Sequence, residues 1–150
     1  MREEEIVEGL KEKLGSVLRE AKVQRARRVV VVVDREHYKE VLKALKEMGV
    51  DFLEAITGVD AGDHFEVIAH VGRDVSVAVK ALVPKDDPRV DSVVDIFRGA
   101  ELYEREAWEM LGIVFEGNPR LRRAFLPEDW PEGVYPLRKE YKPEHPKPLR

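Results

Sequence analysis

The sequence lacks cysteine, contains only 3 Met among its 150 residues and has no long apolar run. The missing cysteines exclude disulfides, thiolate nucleophiles, cysteine-ligated zinc and iron–sulfur ligation by this chain. The longest apolar run, residues 29–33, is far shorter than the ~20 residues of a membrane span. The acidic start MREEEIVEGL has no signal-peptide core. We therefore expect a cytoplasmic protein that meets a membrane only through a partner.

A strong charge of one sign is also missing, because the formal net charge is −4 with both signs interspersed. Such a chain is not expected to coat nucleic acid. Its length and its 43% hydrophobic content suffice for one domain with a single core. The 37% charged content, rich in Glu, Lys and Arg, is typical of proteins from hyperthermophiles.

The apolar pattern predicts a compact α+β domain over residues 1–112, with a mostly antiparallel sheet of about five strands and helices packed on one face. Helices are predicted at residues 3–14, 34–48 with Asp34 as cap, 92–97 with Ser92 and Asp95 as capping box, and 100–111. Strands are predicted at residues 17–26, 28–33, 52–59, 65–70 and 75–83. Short turns join the last three strands, which predicts a meander.

The helix over residues 100–111 is unusually charged. Glu101, Arg105 and Glu109 recur every four residues and can pair along one exposed face, each pair contributing about 0.3–0.5 kcal/mol. A second interpretation makes Glu104, Arg105 and Glu106 a buried polar junction between the sheet and the C-terminal segment. Both interpretations fit the sequence.

Residues 113–150 differ from the rest in holding 7 of the 9 prolines and 5 of the 11 aromatic residues. Disordered tails are poor in aromatics, and helices and sheets do not accept this much proline. An extended but ordered arm is therefore predicted, folded either onto its own domain or across a partner. Trp, Tyr and Arg dominate protein–protein hot spots. On a partner, the anchors would be Phe115, Phe125, Trp130, Tyr135 and Tyr141, and the charged contacts Arg120, Arg122, Arg123, Arg138 and Lys139.

A longer pattern runs through this part of the chain: YEREAWEMLGIVFEGNPRLRR, then LPEDW, then YPLRKEY. With ITGVD at 56–60, FEVIAH at 65–70 and VPKDDPRVDSVVDIFRGA at 83–100, it closely resembles the thirty-kilodalton, or C, subunit family of complex I-type NADH:quinone oxidoreductases. Asn118 stands where the quinone-reductase branch usually has His. The segment WPEGVYPLRK is more similar to the homologous subunit of archaeal membrane-bound, energy-converting nickel–iron hydrogenases.

This resemblance implies a cofactor-free, non-catalytic structural subunit in the cytoplasmic arm of an ion-pumping complex, peripheral on the cytoplasmic side of the cell membrane. The implied complex is a membrane-bound hydrogenase, with an NADH:quinone oxidoreductase or a sulfur-reducing relative as the alternative. The implied partners are the hydrogenase-like large catalytic subunit, the small iron–sulfur subunit and a ferredoxin-like iron–sulfur subunit. The membrane arm is contacted only indirectly, and nucleic acid is not a partner.

The resemblance also implies that the arm over residues 113–150 wraps on partner subunits. The expected interface consists of Glu104, Arg105, Glu106, Trp108, Phe115, Asn118, Pro119, Leu121, Arg122, Arg123, Phe125, Asp129, Trp130, Tyr135, Leu137, Arg138, Lys139 and Tyr141.

A different class of function is also open, because His64, Glu66 and His70 share one face of a predicted strand. Two His and one carboxylate can hold a metal, which would make the chain a stand-alone metal-dependent enzyme. Solvent-facing strand residues are the simpler explanation. An RNA-binding α+β module is a third candidate, which the acidic domain disfavours.

Overall fold

The computed structural model describes residues 2–143, so residues 144–150 of the predicted arm lie outside the described part. The helices are α1 (Glu3–Leu14), α2 (Tyr38–Glu47) and α3 (Ala100–Leu111). The strands are β1 (Leu18–Arg25), β2 (Arg28–Asp34), β3 (Leu53–Asp60), β4 (His64–Val71), β5 (Ser76–Pro84), β6 (Arg89–Asp91) and β7 (Val114–Glu116). Single 3-10 turns precede β1 and α2.

Five strands form one sheet in the order β1-β2-β5-β4-β3. The β1–β2, β3–β4 and β4–β5 pairs are antiparallel, whereas β2 and β5 run parallel. The long connection through α2, β3 and β4 supplies the crossover that a parallel pair requires. The predicted α+β fold with a mostly antiparallel five-stranded sheet is therefore confirmed. A separate parallel pair, β6–β7, joins the segment before α3 to the start of the arm.

Strands β4 and β5 alternate between a buried and a half-exposed face, and β2 does so from Val31 to Asp34. Val31, Val79 and Ala69 lie side by side across β2, β5 and β4, and each has no exposed surface. Their neighbours on the other face, such as Lys80 and Ile68, are half-exposed. The helices cover the buried face, contributing the fully or nearly fully buried side chains Ile6, Leu10, Tyr38, Val41, Leu42 and Leu45.

Helix α3 packs on the same face above β3. A Cβ atom on Gly58 would lie 2.7 Å from Leu111 Cδ1 and 3.2 Å from Ala107 Cβ. A larger residue at position 58 would have to displace the Leu111 side chain, so glycine favours this close approach, which brings the charged helix against the sheet and next to the arm.

The predicted helix over residues 92–97 was wrong. Residues 94–96 form a turn, in which the Ser92 hydroxyl accepts the Val94 N–H (3.2 Å) as a cap would, but the box is not completed because its other groups have tertiary partners. The Ser92 N–H donates to Glu116 O (2.8 Å), the Ser92 hydroxyl donates to Glu104, and the Asp95 carboxylate pairs with Lys39 (2.9 Å).

The predicted Asp34 cap was also wrong. Its carboxylate pairs with Arg19 across β1 and β2 at 2.6 Å, and a 3-10 turn separates it from α2, which begins at Tyr38. The strands β6 and β7 were not predicted, because three residues are too few to show an alternating pattern.

Candidate partner-binding surface

The arm of residues 113–143 crosses α3, and two buried carboxylates on that helix hold the crossing. Glu104 and Glu109 have 0% and 3% of their surface exposed. Buried carboxylates need donors for their oxygens. Both find them outside the helix, in the segment before α3 and in the arm.

Glu104 joins three segments of the chain. Its carboxylate accepts hydrogen bonds from the Ser92 hydroxyl (2.6 Å), the Val93 N–H (2.9 Å) and the Asn118 side-chain amide (3.0 Å). Burial raises the pKa of Glu104, and these three donors oppose the rise. Glu104 therefore fixes the first turn of the arm against the loop that precedes α3.

Glu109 holds the middle of the arm. Its carboxylate accepts the consecutive main-chain N–H groups of Ala124 (2.6 Å), Phe125 (3.0 Å) and Leu126. Burial alone would raise the pKa of Glu109, but these N–H groups and nearby Arg123 lower it below its ordinary value. The ionised carboxylate thus acts as a clamp on three successive peptide groups.

The C-terminal end of α3 is shaped to receive the arm. Gly112 ends the helix at φ 79°, and a Cβ there would lie 2.7 Å from Tyr135 Cζ. Arg138 donates from Nε to Leu111 O (2.8 Å), and its guanidinium stacks on Tyr135 at 4.3 Å from the ring centre. The Leu137 N–H donates to Met110 O (3.1 Å). The arm thus supplies donors to carbonyls that the helix leaves free.

Asp60 holds the far end of the described arm. Its carboxylate accepts the Lys139 N–H (2.8 Å), pairs with Lys85 Nζ (2.7 Å) and accepts the Gly62 N–H (2.9 Å). Burial alone would raise the pKa of Asp60, but these donors lower it to about 2.

The predicted ladder of ion pairs along α3 was wrong within the described residues. Arg105 donates from its guanidinium to Arg122 O (3.4 Å), and the Glu109 carboxylate accepts main-chain N–H groups of the arm. Glu101 pairs with Arg120 of the arm at 3.7 Å. Of the alternative junction, Glu104 is buried, whereas Arg105 is half-buried and Glu106 is exposed.

The expected interface residues divide into three groups. Two are buried in this structure, namely Glu104 and Phe115. The half-buried ones are Arg105, Trp108, Asn118, Leu121, Arg123, Trp130, Tyr135, Arg138 and Tyr141. The exposed ones are Glu106, Pro119, Arg122, Phe125, Asp129, Leu137 and Lys139. Phe115 belongs to the core, where it forms part of β7, and offers no side-chain surface to a partner.

Several half-buried residues give the arm its shape. Arg123 donates to Trp130 O, and the Trp130 indole N–H donates to Val134 O (2.8 Å). The rings of Trp130 and Tyr141 lie 6.1 Å apart. These contacts leave Phe125 and Leu137 on the outside, with 44% and 57% of their surface exposed.

The histidine face does not form a metal centre among the described residues. His64 contacts Asp63 (2.6 Å) and Glu66 (3.3 Å). His70 lies on the same face but six residues along β4, about 20 Å away at ~3.3 Å per residue. A metal bound at about 2.0 Å by histidine nitrogens cannot be shared across that distance.

Sequence reasoning missed the clamp formed by Glu109 and the tether formed by Asp60. The available signal for Glu109 is its position in α3 between Ala107 and Leu111, two apolar residues that belong to the core. Nothing local marks Asp60, because its arm partner lies 79 residues away.

Residues 31–147 match the family described as respiratory-chain NADH dehydrogenase, 30 Kd subunit. The C subunit of the F(420)H(2) dehydrogenase of Methanosarcina mazei is 36% identical over 142 residues, which cover 91% of this chain and 89% of that relative. The beta subunit of the membrane-bound hydrogenase of Pyrococcus furiosus is 40% identical over 123 residues, covering 77% and 70% of the two chains.

Solved structures agree with these relatives. A chain of the membrane-bound sulfane sulfur reductase, an archaeal respiratory membrane complex, superposes with a TM-score of 0.82 at 32% identity, covering 93% of this chain and 85% of that one. A trypsin-resistant fragment of Nqo5 superposes with a TM-score of 0.69 at 32% identity, covering 81% and 100%. Among residues 2–143, no helix is both long and apolar enough to cross a membrane. The chain belongs to the family of the 30-kilodalton subunit of respiratory-chain NADH dehydrogenase.

Proposed function

We propose that this chain is a non-catalytic structural subunit of a membrane-bound oxidoreductase complex, and that the outer side of its arm contacts the partner subunits. The observation that carries the proposal is the arm itself. Buried carboxylates hold its main chain in place, yet the side chains of Phe125 and Leu137 remain on the surface. Exposed apolar side chains on a segment whose main chain is fixed are candidate anchors for a partner protein.

The proposed interface is the exposed side of the arm together with the adjoining face of α3. Its apolar members are Phe125, Leu137 and Leu102, the last with 53% of its surface exposed. Arg122 supplies an exposed cation suited to a carboxylate on the partner. Glu104 and Phe115 position the arm from within and are not contact residues in this proposal.

The proposed partners are a hydrogenase-like large catalytic subunit and a small iron–sulfur subunit, with a ferredoxin-like iron–sulfur subunit as a further neighbour. Relatives named as subunits of a membrane-bound hydrogenase, an F(420)H(2) dehydrogenase and a sulfane sulfur reductase support an archaeal complex of this kind. Within that group we propose a hydrogenase. The chain would sit peripherally on the cytoplasmic side and reach the membrane arm only through its partners.

The test is affinity purification of the tagged chain from detergent-solubilised native membranes, with co-purifying subunits identified by mass spectrometry. The proposal expects a large hydrogenase-like subunit and a small iron–sulfur subunit. A large subunit with its metal-binding cysteines supports a hydrogenase, whereas one lacking them points to a quinone- or sulfur-linked complex. Recovery of the chain with neither of these subunits contradicts the proposal.

A variant pair locates the contact. Arg122→Glu with Phe125→Ala changes a cation and an apolar side chain that are exposed on the arm, so co-purification should fall about tenfold or more. The matched control, Arg25→Glu with Val23→Ala, makes a comparable pair of changes on β1 and should assemble normally. Equal recovery with both variants contradicts the arm interface, as does loss of thermal stability in the isolated arm variant.

A further inference from the structure

The sheet has two edge strands, β1 and β3, which are protected to very different degrees. An edge strand presents N–H and C=O groups that can pair with another chain. Natural proteins discourage this pairing with charged side chains, bulges or a covering element.

The β1 edge carries two of these protections. Its sequence LREAKVQR places charges along the strand, including Arg19, Glu20, Lys22 and Arg25. Its pairing with β2 shifts register twice, between Leu18 and Glu20 and again between Val23 and Arg25. A bulge breaks the even spacing of main-chain groups that another strand would need.

The β3 edge lacks both protections along its central stretch. The register with β4 is regular from Ala55 to Asp60, and the residues between Glu54 and Asp60 are uncharged. In an antiparallel pair, successive residues point their main-chain N–H and C=O groups alternately toward and away from the partner strand. The Ala61 N–H donates to His64 O at the hairpin, so by this alternation Ile56 and Gly58 point their main-chain groups away from β4. Within residues 2–143, β3 pairs with β4 alone.

A groove runs between this free edge and α3. It is lined by residues 55–58 of β3, by Tyr103, Glu106, Ala107 and Leu111 of α3, and by Leu137 of the arm. Its volume of about 230 Å³ is smaller than the ~300–1,000 Å³ of typical small-molecule sites. The Tyr103 hydroxyl donates to Glu54 O (3.0 Å), which joins α3 to β3 beside the groove. The groove therefore suits one or two side chains of an extended peptide.

We infer that an extended segment of a partner protein adds to β3 as a further strand in this groove. Main-chain hydrogen bonds to Ile56 and Gly58 would hold it, and alternate side chains would enter the groove. Apolar residues fit beside Leu111 and Leu137, and a Lys or Arg fits beside Glu106, the one charged residue among the described lining. The inference rests on the proposed function in one respect, which is that the segment belongs to another subunit of the same complex.

Hydrogen–deuterium exchange of the Ile56 and Gly58 amides, compared between the isolated full chain and the purified complex, tests the inference. An added strand should slow both amides about tenfold or more in the complex. The β1 amides that face away from β2 serve as the internal control and should not change. Equal exchange of Ile56 and Gly58 in both states overturns the inference.

Thr57→Lys places a charge beside the free edge, which should reduce co-purification of partner subunits severalfold. The control, Gln24→Lys, places the same charge on β1 and should assemble normally. Both positions are exposed, and unchanged thermal melting of the isolated variants will show that they fold. Full assembly of Thr57→Lys would overturn the inference. If the arm variant still loses its partners in the same experiment, the proposed function stands and only the strand addition fails.

Two other occupants of the β3 edge would give different patterns of amide protection. Protection of Ile56 and Gly58 that rises with the concentration of the isolated chain would assign the edge to a second copy. Protection in the isolated chain that disappears on removal of residues 144–150 would assign it to the chain's own terminus. Either result overturns the inference of a partner segment.

Discussion

The domain of residues 2–112 and the arm of residues 113–143 are held in place by different forces. The domain buries an apolar core between one sheet face and three helices, where each large buried side chain contributes ~1.5–3 kcal/mol. Beyond Phe115, the arm buries little apolar surface and is positioned by main-chain hydrogen bonds to Glu109, Asp60 and the end of α3. Such bonds contribute roughly 0.5–3 kcal/mol each.

This contrast shows how an irregular segment can be ordered without hiding its apolar side chains. A second core would have drawn Phe125 and Leu137 inward. Carboxylates that grip the main chain fix the path of the segment and leave those side chains available. The comparison predicts that the two regions can be perturbed separately, although the arm depends on the domain that carries it.

The largest effect is expected from Leu45→Ala in the core, because Leu45 is fully buried in α2. Truncating such a residue costs ~2–5 kcal/mol through lost burial and the cavity left behind. Chemical denaturation should show the full loss, with domain and arm unfolding together. Leu102→Ala, which truncates an exposed leucine, should cost less than ~0.5 kcal/mol. Similar losses for the two variants would contradict the assigned core.

Glu109→Ala should release the arm and spare the domain. Three main-chain N–H groups lose a charged acceptor, which weakens attachment of the arm by about 1.5–3 kcal/mol. Limited trypsin digestion should cleave at Arg122 and Arg123 much faster, while circular dichroism of the sheet stays unchanged. Glu106→Ala removes an exposed acid three residues away and should digest like the unmodified chain. Unchanged digestion of the Glu109 variant would mean that the clamp does not hold the arm.

Acid should loosen the arm before it unfolds the domain. The pKa values of Glu109 and Asp60 are lowered, so their stabilising contribution is complete above their ordinary values near 4.5 and 3.8 and is lost as pH falls through the lowered values. For Asp60 that value is about 2. The raised pKa of Glu104 acts in the opposite direction, because the fold favours its protonated form.

Tryptophan fluorescence can follow this release, since the two Trp residues of the chain, Trp108 and Trp130, both lie where the arm meets α3. We expect a fluorescence transition between about pH 4 and about pH 2 that precedes loss of the sheet signal in circular dichroism. Asp60→Asn weakens the attachment and should move the transition to higher pH. Coincident fluorescence and sheet transitions would contradict separate release of the arm.

The smallest effect is expected from Tyr38→Phe. The Tyr38 ring is fully buried, and its hydroxyl finds no hydrogen-bond partner among the described residues. Removing an unpaired buried hydroxyl should leave stability unchanged or raise it by ~1 kcal/mol. Thermal melting measures this directly, and a loss above ~1 kcal/mol would reveal an unrecognised partner for the hydroxyl.

Much of the domain could be predicted from the sequence, because periodic apolar residues carry local information. Tyr38, Val41, Leu42 and Leu45 recur at helical spacing, and all four are buried in α2. The alternation along residues 65–70 likewise predicts β4. The parallel pairing of β2 with β5 could not be predicted, since it depends on contacts some fifty residues apart that leave no local pattern.

The sequence predicts that the arm is ordered, but it does not predict the course that the arm takes over the domain. Its prolines and aromatics indicate order without helix or sheet, whereas the acids that position it lie elsewhere in the chain. Glu109 resembles any exposed helical acid until the N–H groups of residues 124–126 are placed against it. Asp95 shows the reverse error, because the carboxylate that a local capping pattern assigned to Ser92 pairs with Lys39 instead.

The most direct test of the account is amide hydrogen exchange of Ala124, Phe125 and Leu126 in the isolated chain, in its Glu109→Ala variant and in the purified complex. These amides donate to Glu109, so they should exchange slowly in the isolated chain and in the complex, and rapidly in the variant. Rapid exchange in the isolated unmodified chain would contradict the account, because the arm would then take its place only on a partner.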